Sequence, residues 1–239
     1  MIEEKEVKVQ EVSTQVSSHI SKQLKKHFGK GPEACHCTIN KDLNVVLIQV
    51  RNFMTPAEEI MVKKDEMHLA ASYRSLLIKS IFDSTKTELS RMTGFNFQDI
   101  LHDWSYETNK GVLLILGNTD STIFTHTQKN IPFSTNVLEN TVAEMYSSFH
   151  KPPSNIETFL VHPKIYLVRS DEVMFPLENL LQEKGHEELL TEYYSGITDS
   201  VRDHKELIER AISSEIEDIF FARDERNGKS YLIIILKDL

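Results

Sequence analysis

The chain is written twice, and that repetition limits its architecture more than any single motif. Pro56-Ala57-Glu58-Glu59 returns as Pro176-Leu177-Glu178-Asn179, an offset of 120 positions. The same offset carries Leu47 onto Leu167, Met54 onto Met174, and the apolar run Val112–Leu116 onto Leu232–Leu236. Repetition at domain length predicts two tandem modules, each with its own core, within the 239 residues. The first module is expected at residues 1–118 and the second at 133–239, joined by a Thr-, Ser- and Asn-rich linker at 119–132.

Within the first module, Val12, Val16, Ile20, Leu24 and Phe28 recur every fourth position and predict an amphipathic helix over Val9–Phe28. Gly29-Lys30-Gly31-Pro32 ends it. Ala34–Ile39 and Val45–Val50 read as a hairpin around the turn residues Asn40–Asn44. Thr55-Pro56-Ala57-Glu58 is a capping box with proline at the first helical position. The helix it opens is expected to continue to Thr93, stopped by Gly94, with Leu69, Tyr73, Leu76, Leu77, Ile81, Leu89 and Met92 on its apolar side. Phe95–Tyr106 and Val112–Leu116 complete the module as two strands around Asn109-Lys110-Gly111.

The second module repeats the order. A helix is expected at Phe133–Phe149, strands at Ile156–Val161 and Ile165–Arg169, a helical region from Pro176 to Ser213, and strands at Ile216–Ala222 and Tyr231–Leu236. Gly185 and Gly196 suggest that its long helix is interrupted where the first copy is continuous. The expected fold class is α+β: two α-β-β-α-β-β modules, each a mostly antiparallel four-stranded sheet with helices on one face.

Charge narrows the functional classes. The net charge is −9, and residues 1–120 hold about 15 Lys+Arg against 16 Asp+Glu, while the remainder holds about 12 against 20. An acidic second half and a neutral first half argue against a nucleic-acid partner, which requires a dominant basic surface. Lys22, Lys25, Lys26, His27 and Lys30 form one local exception. They read as a solvated helix end with favourable cations, or as a peripheral contact for an anionic ligand or membrane surface. No apolar run approaches the roughly 18–20 residues that span a bilayer. Met1–Glu11 carries no apolar signal core, so a cytoplasmic protein is expected.

Candidate chemistry is sparse. Cys35 and Cys37 share one side of a strand and His36 the other, so the three cannot converge on a metal. They are expected to be core cysteines. There is no P-loop, no G-x-G-x-x-G and no G-x-S-x-G, and no catalytic residue, metal or cofactor is assigned. Arg74 stands out. It lies mid-helix on or beside an apolar stripe, where a guanidinium needs a carboxylate or an anion. A structural ion pair and a ligand contact are both open to it. In the second copy the same place is occupied by Tyr193-Tyr194, which predicts one active half and one supporting half. The candidate ligand-binding residues are Gly29, Lys30, Gly31, Glu58, Arg74 and Asp103.

Taken together, Gly29-Lys30-Gly31-Pro32, Thr55-Pro56-Ala57-Glu58, Arg74, Gly94 and His102-Asp103-Trp104-Ser105 resemble the MpsC-like family, a bacterial domain, over most of residues 9–117 and more faintly over 133–239. Lys30 stands where that family often has arginine. The second module has His150-Lys151-Pro152 in place of the glycine loop and Phe175 in place of Thr55, and it lacks the matching arginine and the His-Asp pair. The resemblance implies an accessory role beside a cation-translocating, membrane-potential-generating system that is also linked to inorganic-carbon uptake. The expectation is therefore a non-enzymatic regulatory or accessory protein that binds a protein partner or small ligand. It would be a pseudo-symmetric monomer or a homodimer, since a tandem copy can replace a two-fold contact. The alternative is a small-molecule sensor or enzyme with an anion site around Arg74, Glu58 and Asp103.

Overall fold

A computed structural model describes residues 2–117, 131–149 and 151–237. Most of the expected linker therefore lies outside the described residues. Two compact units emerge, Met1–Ile123 and Phe124–Leu239. Each is a four-stranded sheet in which every pairing among the described strands is antiparallel, ordered β1-β2-β4-β3 in the first and β5-β6-β8-β7 in the second.

In the first unit α1 (Ile2–Phe28) precedes β1 (Ala34–Asn40) and β2 (Val45–Arg51). Two helices follow, α2 (Pro56–Lys63) and α3 (Met67–Thr93), then β3 (Phe97–Ser105) and β4 (Lys110–Gly117). The four-residue stripe of α1 is buried through Val16, Ile20, Leu24 and Phe28. It packs with α3 onto Val46, Ile48, Val50, Ile100, Leu113 and Ile115 of the sheet. The intervening Val45, Leu47 and Leu114 turn to the opposite face and are also buried, which is why β2 and β4 read as nearly unbroken apolar runs. Cys35 and Cys37 pack against the helix-side core, and burial pushes both thiols up to about 12.

The single helix expected over Pro56–Thr93 is two helices. The amide of Glu66 donates to the Met61 carbonyl and that of Asp65 to Val62, a Schellman closure with Asp65 in the left-handed region at φ 62°. An aspartate in that role left no glycine to mark the stop. In the second unit the same closure uses Gly185, whose amide donates to Gln182 while that of His186 donates to Leu181. Gly185 thus marks a boundary common to both copies, and Gly196 lies inside an unbroken helix. The apolar side of α3 is also rotated from the expectation. Ala70, Arg74, Ile78, Ile81, Phe82, Thr85 and Leu89 are its buried residues, whereas Leu69 is exposed and Leu76 is 70% exposed.

The second unit contains α4 (Thr135–Tyr146), β5 (Asn155–His162), β6 (Ile165–Asp171), α5 (Pro176–Glu183), α6 (Glu187–Asp203), α7 (Lys205–Ile212), β7 (Ile216–Asp224) and β8 (Lys229–Leu236). Its core is built the same way, from Leu138, Val142 and Tyr146 of α4 with α6, α7 and one sheet face. Its long helix is broken at His204. From that break onward the correspondence with the first copy changes. Pro56 matches Pro176 and Arg74 matches Tyr194 at an offset of 120. The left-handed caps Gly94 and Ser213 match at 119, as do the sheet rows Val45–Leu116 and Ile165–Ile235 in their later strand. One residue is missing from the second copy near His204, so the fixed offset of 120 misaligns everything after it.

Candidate functional site

The motifs of the first module converge on the connection between β2 and α2. Lys30 Nζ donates to the Met54 carbonyl at 2.8 Å, and Arg74 Nη2 donates to the Phe53 carbonyl at 3.2 Å. Asn109 accepts the Phe53 amide through its side chain at 2.9 Å. Gly29 sits at φ 75° just after α1, which lets the chain turn toward this connection. Gly31 lies in the same turn against the Lys25 side chain.

Glu58 divides its carboxylate between two tasks. Oε2 accepts the Thr55 amide at 2.9 Å and the Thr55 hydroxyl at 2.8 Å, while the Glu58 amide donates back to Thr55 Oγ1. Oε1 lies 2.6 Å from Arg74 Nη2, with the two side chains 0% and 2% exposed. The capping box expected from sequence therefore also anchors a buried ion pair.

Arg74 is sheathed in rings. Its guanidinium carbon lies 3.8 Å from the centre of the Trp104 ring, 5.1 Å from Phe53, 5.4 Å from Phe28 and 5.9 Å from Tyr106. Trp104 reaches this position because it lies over Gly111, its partner across β3 and β4. A Cβ on Gly111 would fall 1.8 Å from the indole. Burial pushes the Tyr106 hydroxyl up to about 12, partly offset by the Arg74 charge. His102 shares this face, and burial together with Arg74 holds its imidazole down to about 4.

Asp103 does not join this group. Strand alternation turns it to the opposite face, in register with Gln49 and Val112, and its Oδ1 accepts the Trp104 amide at 2.7 Å. The void beside Arg74, bounded by Leu24, Phe53, Ile78 and His102 and reached also by Asp103, measures about 10 Å³. That is the lower limit for one water and far below a ligand pocket. Of the sequence candidates, Glu58 and Arg74 meet and Lys30 braces the same loop. Gly29 and Gly31 shape that loop.

The second module contains the same device with its parts exchanged. Arg223 Nη2 donates to Glu178 Oε1 at 2.7 Å, and Glu178 Oε2 accepts the Phe175 amide at 2.6 Å. The Arg223 guanidinium lies 3.8 Å from the Tyr194 ring. Tyr194 occupies the helix position of Arg74. Arg223 occupies the strand position of Trp104, because the sheet row Val50–Gly111–Trp104 corresponds to Ser170–Ser230–Arg223. The absence of a matching arginine, expected from the fixed offset, is therefore corrected: the arginine has moved from helix to strand. The aromatic ring has moved the other way. Ser230 fits this arrangement, since no indole has to lie flat on it.

Residues 8–117 match the family model described as the Na+-translocating membrane potential-generating system (MpsC). The first module is MpsC-like. The match spans α1 to β4, so it encloses the Arg74–Glu58 pair and its aromatic sheath. No curated protein and no solved structure matches the chain significantly. Outside the MpsC-like match, the second module is tied to the first by its repeated topology and repeated Glu–Arg–aromatic cluster. Among the described residues, no helix is long and apolar enough to cross a membrane.

Proposed function

We propose that this protein is a non-enzymatic accessory component of a Na+-translocating, membrane-potential-generating system, acting by binding a protein partner from the cytoplasmic side. The family match over the first module is the observation that carries this reading. The absence of a spanning helix among the described residues is compatible with a subunit that docks onto membrane partners. A link to inorganic-carbon uptake belongs to the same proposal.

Site geometry favours partner binding over a sensor or enzyme centred on Arg74. One oxygen of the Glu58 carboxylate caps Thr55 and the other is ion-paired with Arg74 inside the protein, and the neighbouring void is about 10 Å³. A pocket that orients a small molecule is typically some 300–1,000 Å³. Arg74 and Glu58 act here as a clamp that fixes the α2–α3 pair on the sheet. The test is crosslinking of the tagged full chain in native cells, followed by capture from solubilised membranes. Recovery of integral subunits of an ion-translocating complex supports the reading. Recovery of soluble proteins alone, together with an unaltered Na+-dependent membrane potential in a deletion strain, overturns it.

A further inference from the structure

The outer faces of the paired helices after β2 and β6 are apolar in both modules. Ile60 and Leu180 are equivalent, as are Leu69 and Leu189, and all four are exposed. Their surroundings differ. Pro56–Asp83 carries five Asp+Glu against four Lys+Arg, whereas Pro176–Asp203 carries seven against two. In the second module Leu177 and Leu180 lie three apart on α5, and Leu189 and Tyr193 lie four apart on α6, so each helix presents an apolar pair on one side. Leu180 is 49% and Leu189 55% exposed. Glu183 and Glu192 are exposed beside them and have no ion-pair partner among the described residues.

We propose that the α5–α6 face is the docking surface for a Lys/Arg-rich amphipathic helix flanking a membrane span of an integral partner. Leucines and a tyrosine flanked by Glu183 and Glu192 are complementary to a helix with one apolar and one cationic side. Cytoplasmic segments next to membrane spans are enriched in Lys and Arg, so a partner in a membrane complex supplies this chemistry at the place where a protein without a spanning helix can reach it. The same carboxylates repel an anionic lipid surface. The equivalent α2–α3 face has exposed Lys63 and Lys79 where the second module has Glu183 and Asp199, while Lys64 and Lys184 are exposed in both, so the first face lacks that selectivity for a cation. This inference rests on the accessory reading above and names the partner's chemistry.

The probe is a fluorescein-labelled 18-residue Leu/Lys amphipathic peptide, titrated with the full chain by fluorescence anisotropy at 0.15 M salt. Leu/Gln and Leu/Glu peptides of the same pattern serve as controls. Leu180→Glu with Leu189→Glu is expected to weaken Leu/Lys binding at least about tenfold. Glu183→Lys with Glu192→Lys is expected to weaken it about as much and to flatten its salt dependence. Ile60→Glu with Leu69→Glu in the first module should change it less than about twofold. Circular dichroism checks that each variant is folded. Equal losses from the two modules, equal binding of the Leu/Gln peptide, or co-sedimentation with phosphatidylserine vesicles that these variants abolish would overturn the proposal. Membrane capture reports separately: it can fail with peptide discrimination intact, or succeed when that discrimination is lost.

Discussion

The two modules solve one packing problem in opposite ways. In the first, a helix supplies the arginine and a strand the aromatic ring. In the second, the strand supplies Arg223 and the helix Tyr194. The carboxylate at the third position of the short helix is the fixed member of both, Glu58 and Glu178. What must be present is a cation between ring and carboxylate, and the element that delivers it can change. The surroundings change with it: Val50 and Gly111 beside Trp104 become Ser170 and Ser230 beside Arg223. A strand arginine introduces more polar surface, and burial raises the hydroxyl pKa of Tyr146 nearby, with Ser230, Arg223 and Ser170 opposing that rise.

The comparison breaks most visibly at Arg74. Arg74→Ala leaves Glu58 buried without its cation and is expected to cost about 3–5 kcal/mol. Trp104 is the only tryptophan in the chain, so urea unfolding followed by its fluorescence reads the first module alone. Hydrogen exchange on Arg223→Ala, reading β7 and β8, should show a similar or smaller loss because that pair is slightly more exposed. If Arg74→Ala is neutral, the clamp is not what holds α2 and α3 in place.

Gly111→Ala sharpens the difference between the two strand rows. Its methyl collides with the Trp104 ring, so a loss of about 1–3 kcal/mol is expected, against less than about 1 kcal/mol for Ser230→Ala. Differential scanning calorimetry of both variants decides it, and equal shifts would contradict the requirement for close approach.

Acidity should affect the first module more. His102 is held at about 4, below its ordinary 6.5, by burial and by Arg74. The unfolded chain therefore binds the proton more readily. Its contribution is fully present above pH 6.5 and is lost as the pH falls toward 4, amounting to about 2 kcal/mol after discounting for partial exposure. Tryptophan-monitored stability of His102→Gln should lack this slope; an unchanged slope would place its origin elsewhere.

The smallest effect concerns the helix stop. Asp65→Gly copies Gly185 into a position at φ 62° and should stabilise the first module by about 0.5–1 kcal/mol. A loss of stability would mean that the aspartate side chain matters more than its backbone strain.

Strands and turns were legible because alternating β-branched residues and Asn-rich turns report local geometry directly. The α1 stripe and the capping box follow from spacing within one element and the hairpins from the turns between neighbouring strands, whereas the β2–β4 and β6–β8 pairings that join the hairpins carry no such local mark. The α2–α3 boundary was hidden by an aspartate doing a glycine's work. The outer leucines of α3 were hidden too, since Leu69 and Leu76 satisfy an apolar pattern while the buried stripe includes Arg74 and Thr85. The second cluster was missed for a different reason. A rigid offset of 120 sets Arg223 opposite Asp103, whereas its structural equivalent is Trp104. Allowing the offset to slip after His204 would have found it.

That lost residue has a consequence for the helices themselves. An α-helix turns by about 100° per residue, so deleting one from a continuous rod would swing its whole distal half out of phase with the core. The break at His204 resets the phase: Val201 before it and Ile208 after it both face inward. A residue inserted beside His204 should therefore be absorbed by rejoining α6 and α7 into one rod, as in α3. The same insertion at Gly196, within an intact helix, would have no joint in which to unwind.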